Sequence, residues 1–194
     1  MNRDYEFLEG MCMEHGASIE KAFARAVAHF YELHRANLLA IRPATKASLI
    51  NDFAYQFLQE ELDGTAGFEF LSRRKARYIG CGGRILIRIK KLDEASRPTI
   101  NKTLAATRFN TQNDMDLFGG ARAVNVYLGY ILSEESGEIN KVAFACPNTD
   151  GMIAWTLDVG GRHVQKALDF EVARRSPKTD RLVSKKQRKK AGQA

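Results

Sequence analysis

The hydrophobic period of this chain changes once, and the change divides it. Up to Leu62 the apolar residues recur at helical spacing. From Phe68 onward they alternate, and Asp63-Gly64 lies between the two regimes. A strand sends alternate side chains to opposite faces and a helix repeats every 3.6 residues, so a single switch separates a helical half from a sheet half. The pattern predicts one α+β domain. An N-terminal helix pair packs on a mainly antiparallel sheet, which consists of a basic hairpin followed by a three-strand meander.

Within the helical half, Ile19, Phe23, Val27, Phe30, His34 and Leu38 form one stripe, widened by Ala26 and Leu33. Ser18 suits the N-cap, because its hydroxyl accepts an otherwise orphaned backbone N–H. A helix is expected over about 18–40, interrupted by Pro43. A second helix is expected over about 45–62, with Ile50, Phe53, Ala54, Phe57 and Leu58 on its apolar face. Residues 1–16 read as an N-terminal arm from which Phe7, Leu8 and Met11 can dock.

The sheet half starts with Phe68, Phe70 and Tyr78-Ile79. A turn follows at Gly80-Cys81-Gly82-Gly83, where three glycines tolerate positive φ. In Arg84-Ile85-Leu86-Ile87-Arg88-Ile89-Lys90 the isoleucines share one face, while Arg84, Leu86, Arg88 and Lys90 share the other. Residues 93–122 admit a short helix through Leu104, Ala105 and Phe109, then a polar loop and an apolar tip at Leu117-Phe118-Gly119-Gly120. Three alternating strands follow, at Val124–Leu132, from Ile139, and at Ile153–Val159, separated by turns at 133–137 and 147–151. A short amphipathic piece carrying Val164, Leu168 and Val172 closes the domain, which is placed over 17–176. Residues 177–194 are nearly devoid of apolar side chains and are expected to form a basic, disordered tail when unbound.

A chain of 194 residues that is 44% hydrophobic can bury a core without staples. Cys12, Cys81 and Cys146 are too few and odd in number for a disulfide framework, which points to a reducing compartment. The N-terminal residues lack the apolar core of a signal peptide, and no apolar run reaches the length of a membrane span. A cytoplasmic protein is expected, with no membrane association.

Charge is distributed unevenly. Residues 70–92 hold Arg73, Arg74, Lys75, Arg77, Arg84, Arg88, Lys90 and Lys91 with no acid. Residues 174–190 hold nine bases and one acid, Asp180. Each segment carries a net +8, so the remainder carries −9 against a total of +7. Such clustering suits a polyanion partner, because neutralising phosphates releases condensed counterions. The candidate nucleic-acid-binding residues are Arg73, Arg74, Lys75, Arg77, Arg84, Arg88 and Lys90 on the hairpin, and Lys185, Lys186, Arg188, Lys189 and Lys190 in the tail. Tyr78 is positioned to stack on a base. The competing reading is a solvated sheet face balanced by Glu60, Glu61, Asp63 and Glu69.

Other chemistries find little support. Cys12 and His15 have ligand spacing, but no second pair follows, so no metal and no cofactor is expected. Cys81 lies amid positive charge that would lower a thiol pKa, yet nothing places His163 near it. The order helix, helix, three strands, short helix, strands resembles the restriction-endonuclease-like fold. That family needs a Glu-x-Lys on a core strand to hold Mg²⁺, and here the strand reads Arg88-Ile89-Lys90, so the resemblance fails at the metal. A metal-independent nuclease would draw on Arg88, Lys90, Tyr78 and His163.

Three further stretches carry a family resemblance. They are Arg84–Leu92 continuing into Asp93, Asn125–Tyr130, and Val142–Pro147 before Gly151 and Ala154-Trp155. Over residues 76–158 the chain resembles small uncharacterised bacterial proteins encoded beside helix-turn-helix or ImmA/IrrE-type metallopeptidase genes, in modules like toxin–antitoxin pairs. The resemblance implies a cytoplasmic protein with a cognate partner or antitoxin, and transfers no catalytic residue. Three readings result. The first is a bacterial or phage-type protein engaging DNA or RNA through the basic hairpin and tail. The second is a toxin component of a defence module or mobile element. The third is an interaction protein docking an acidic partner.

Overall fold

The protein is described by a computed structural model covering residues 2–73, 76–100, 103–112, 123–133 and 136–160. Two helices, α1 (Arg3–His34) and α2 (Pro43–Leu62), precede the strands β1 (Phe68–Arg73), β2 (Ala76–Cys81) and β3 (Ile85–Lys91). A short helix α3 (Leu104–Asn110) leads to β4 (Val124–Leu132), β5 (Ile139–Pro147) and β6 (Ile153–Asp158). The chain is α+β, as the period switch predicts.

All six strands form one sheet in the order β1-β2-β3-β4-β5-β6. Neighbours are antiparallel except β3 and β4, which pair in parallel from Ile85↔Val124 to Lys91↔Tyr130. A parallel pair requires a crossover, and α3 lies within it. The hairpin and the meander are thereby fused into one sheet.

Each face of the sheet has its own core. Ile79, Cys81, Ile85, Ile87, Ile89, Val126, Leu128, Tyr130, Phe144 and Leu157 pack against Leu8, Ile19, Phe23, Phe30, Ile50, Ala54 and Leu58 of α1 and α2. On the other face Tyr78, Leu86, Tyr127 and Ala145 surround Phe109 of α3. The alternation of β3 thus resolves into two buried faces. The isoleucines face the helix pair, and Leu86 lies in the α3 cluster.

The N-terminal segment differs from expectation. Residues 3–17 continue the helix, and Leu8 and Met11 are core residues with the same spacing as Ile19, Ala22 and Phe23. The N-cap is Asn2, whose side chain accepts the Asp4 N–H at 2.9 Å, instead of Ser18. Two glycines disguise the helix, since glycine weakens helix propensity by roughly 1 kcal/mol against alanine. Gly16 is explained by contact, because a Cβ there would stand 2.9 Å from the Val159 carbonyl oxygen just after β6. At the other end the stripe stops early. Residues Arg35–Ala40 form a 3-10 helix, and Leu33 and Leu39 are exposed.

The helix pair is clamped by charge. Lys21 and Arg25 of α1 contact Glu61 at 2.9 and 2.7 Å, and Arg25 also reaches Glu60 at 2.8 Å while lying over the Phe57 ring. Hydrogen bonds from Lys21 and Arg25 hold the Glu61 carboxyl below its ordinary pKa. No helix among the described residues is long and apolar enough to cross a membrane. The amphipathic piece at 164–172 and the tail lie outside the described residues.

Truncating Leu8 discriminates an arm from a core helix. Because Leu8 is fully buried, Leu8→Ala is expected to lower unfolding free energy by about 2–5 kcal/mol in a urea titration. A change below about 0.5 kcal/mol is the value expected of an exposed position.

A candidate anion-binding cleft between two parting strands

Strands β2 and β3 pair at only three positions, Cys81↔Ile85, Gly80↔Leu86 and Ile79↔Ile87. Beyond them the chains separate, although β1 follows β2 as far as Arg73↔Ala76 and β4 follows β3 as far as Lys91↔Tyr130. The sheet therefore opens into a wedge whose closed end is the Ile79–Ile87 pair. The wedge is a cleft of about 360 Å³ lined by Ala76, Arg77 and Ile79 of β2 and by Ile87–Lys90 of β3. Its third wall is α2, which contributes Ser48, Asn51, Asp52 and Tyr55. Their spacing of three, four and seven places them on one helical stripe, beside the core stripe of Ile50, Ala54 and Leu58.

The described bases of the hairpin, Arg77, Arg84, Arg88 and Lys90, are not all on one open face. Arg84 stands in the turn, where Gly82 and Gly83 adopt positive φ, and it hydrogen-bonds Asp4 of α1 and lies 5.4 Å from the Phe7 ring. Arg77 pairs with Asp52 at 3.3 Å and covers the Tyr55 ring. Glu60 and Glu61, offered by the sequence as neutralising acids for the hairpin, are instead engaged by α1. Tyr78 is only 7% exposed and packs toward Phe109, so its ring is a wall rather than a platform for a base. Arg73 has its backbone in β1. Its side chain, Arg74, Lys75, His163 and the tail residues Lys185, Lys186, Arg188, Lys189 and Lys190 lie outside the described residues.

Arg88 and Lys90 are the pair that the structure does bring together. They stand two residues apart on β3, so both project from one face about 6.6 Å apart along the strand. The Arg88 guanidinium carbon lies 5.4 Å from the Tyr78 ring and 5.2 Å from the Phe109 ring, in cation–π geometry that orients it. Among the described residues its buried Nη1 has no hydrogen-bond partner. Lys90 has its pKa lowered, first by burial and second by the charge of Arg88. Among the described residues neither cation makes an ion pair. Asn51 adds a buried acceptor, its Oδ1 likewise unpartnered.

Orphan donors and acceptors inside a protein are rare and cost free energy. Here Arg88 projects to the α3 face while Asn51 stands on α2 across the sheet, so the orphan donor and acceptor flank the opening between β2 and β3 from opposite sides. The two adjacent cations on β3 suit the opening to an anionic group.

The wall formed by Phe109 is held from behind. Thr103 caps α3 by accepting the Ala106 N–H, and Asn110 accepts the Tyr127 hydroxyl. Gln112, at φ 56°, donates from Nε2 to the Asn125 and Pro147 carbonyls at 2.9 and 2.6 Å and accepts the Asn125 N–H at 2.8 Å. Asn125 in turn donates to the Phe109 carbonyl at 3.0 Å. Sequence reasoning missed Asn51, Phe109 and Gln112 as contributors. Asn51 is one polar residue on a helix with many, and residues 110–112 read only as a polar loop.

Cys81 is a buried cysteine, and the basic residues near it in sequence do not lower its pKa. Cys81 is on the face toward the helix pair, away from Arg88 and Lys90, and burial raises its pKa to about 11 instead of lowering it. Burial likewise raises Cys12 and Cys146 to about 12. A thiol whose folded pKa is raised stays protonated and inert at pH 8. The native protein is therefore expected to react slowly with an aromatic disulfide reagent at pH 8, with labelling of Cys81 and Cys146 appearing only across the urea unfolding transition. Rapid stoichiometric labelling of Cys81 in the native protein would contradict its placement.

Comparison with protein-family models, with characterised proteins and with solved structures finds no match to this chain, so the functional reading rests on the chemistry of the cleft.

Proposed function

We propose that this protein engages nucleic acid and that the contact giving the complex its geometry is the Arg88–Lys90 cleft. The observation that carries the proposal is the arrangement of these two cations. They are unpaired among the described residues, partly desolvated, and joined by a guanidinium nitrogen with no hydrogen-bond partner. A charge-assisted hydrogen bond from Arg88 to a phosphate oxygen would satisfy that donor, and the phosphate charge would offset the Arg88–Lys90 repulsion. Arg77, at the rim and shared with Asp52, is placed to swing toward a second phosphate. The other bases of residues 70–92, together with the basic stretch 174–190, supply long-range attraction without geometry.

This division of labour is testable. Binding of a labelled single-stranded oligonucleotide, followed by fluorescence anisotropy from 50 to 300 mM salt, is expected to weaken linearly in a log–log plot, with each phosphate contact contributing a slope of roughly −0.7. Replacing Lys185, Lys186, Arg188, Lys189 and Lys190 with glutamine is expected to flatten the slope. The double substitution Arg88→Ala and Lys90→Ala is expected to weaken binding by at least tenfold at every salt concentration, since charge-assisted bonds are worth roughly 1.5–3 kcal/mol each. Undetectable binding of both DNA and RNA at 50 mM salt would refute the proposal.

A further inference from the structure

We infer that the cleft accepts the end of a strand, a terminal phosphomonoester, in preference to an internal phosphodiester. This inference rests on the nucleic-acid reading and deepens it. Two features of the cleft carry it, its charge and its shape.

The first is charge. Arg88 and Lys90 place two positive charges on one face of β3, and among the described residues no carboxylate neutralises either. An internal diester offers a single negative charge. A terminal monoester carries roughly −1.5 to −2 at pH 7 and has three terminal oxygens, enough for a guanidinium and an ammonium at once. The acid that lines the cleft, Asp52, is held at Arg77.

The second is shape. The wedge closes at Ile79–Ile87, the last paired residues of β2 and β3, and α2 walls its side. A chain terminus can enter a wedge that is closed at one end. The cleft measures about 360 Å³, the scale of a small-molecule site and enough for the end of a strand. Among the described residues the hairpin bases do not line up as the flat electrostatic track that suits a continuous backbone. Arg84 is diverted to Asp4, and Leu86 and Tyr78 are covered by Phe109.

The experiment compares oligonucleotides of identical sequence that carry a 5′-phosphate, a 3′-phosphate or hydroxyls at both ends. Each is titrated by anisotropy against the full-length protein at 150 mM salt, with the dye placed internally. One phosphorylated form is expected to bind at least tenfold tighter than the hydroxyl form. That ratio is expected to fall to near one in Arg88→Lys and in Lys90→Gln, each checked for a native circular dichroism spectrum, and to persist when the five tail bases Lys185, Lys186, Arg188, Lys189 and Lys190 are replaced by glutamine. The wild-type ratio needs no variant, so a folding defect cannot mimic it.

Equal binding of all three forms overturns the inference while leaving the nucleic-acid reading intact. Absence of binding to any of them overturns both. Inorganic phosphate raising the melting temperature as much as a nucleoside monophosphate does, without oligonucleotide binding, assigns the cleft to a free phosphate and overturns the inference. A serine-phosphorylated peptide that binds tighter than every oligonucleotide also overturns it, in favour of a protein partner.

Discussion

Two like charges held side by side on a central strand set the terms for this protein. Arg88 and Lys90 project from one face of β3, at the point where that strand has already left β2. Moving an unpaired cation out of water is costly, and a neighbouring cation adds to the cost. The fold supports Arg88 with the faces of Tyr78 and Phe109 and meets the remaining strain with core burial elsewhere. Several remote features serve this arrangement. The crossover that makes β3 and β4 parallel carries α3 to the second face, and Gln112 and Asn125 fix the Phe109 backbone there. Without that support Arg88 would be a solvated surface side chain.

The neighbouring bases sharpen the contrast. Arg84 and Arg77 come from the same basic segment, yet each has a carboxylate partner, Asp4 and Asp52. Lys21 and Arg25 are paired with Glu60 and Glu61 across the helix pair. Exposed or half-exposed pairs of this kind contribute little to stability, but they show where neutralisation is available. Against that background Arg88 and Lys90 are two adjacent, partly buried bases that have no ion pair among the described residues. A protein that merely tolerates positive charge would place it on the solvated rim rather than between two aromatic rings.

Much of the fold was legible because it is written in local periods. The switch after Asp63-Gly64 separates the helices from the strands, and the turns at 133–137 and 147–151 bracket β5. The N-terminal turns of α1 were hidden, because Gly10 and Gly16 lower local helix propensity while the compensating contact, Gly16 against Val159, spans most of the chain. The candidate site was half legible. Alternation along Arg84–Lys90 identified Arg88 and Lys90 as sharing a face. It could not reveal that α3 covers that face, that Arg84 leaves it for a residue 80 positions away, or that Asn51 lines the cleft. These facts are tertiary, and no local period encodes them. The same limit explains Cys81, whose basic sequence neighbours Arg77 and Arg84 are taken up by Asp52 and Asp4 while the thiol is buried in the core.

The central claim is that Lys90 and Arg88 form a desolvated, unneutralised pair in the free protein. It is tested most directly by urea unfolding of the wild type against Lys90→Met, a change that keeps side-chain length and apolar bulk while removing the charge. The folded-state pKa of Lys90 is lowered, so between that value and the ordinary lysine value of 10.5 the unfolded chain binds more protons, and wild-type stability rises with pH through that window. Below it the full penalty is present. The account predicts that at pH 7, without ligand, Lys90→Met unfolds at a higher urea concentration than the wild type, and that the gap narrows as pH approaches 10.5. A variant that is equally or less stable at pH 7 would show that Lys90 is solvated or neutralised in the native state, and would contradict the account.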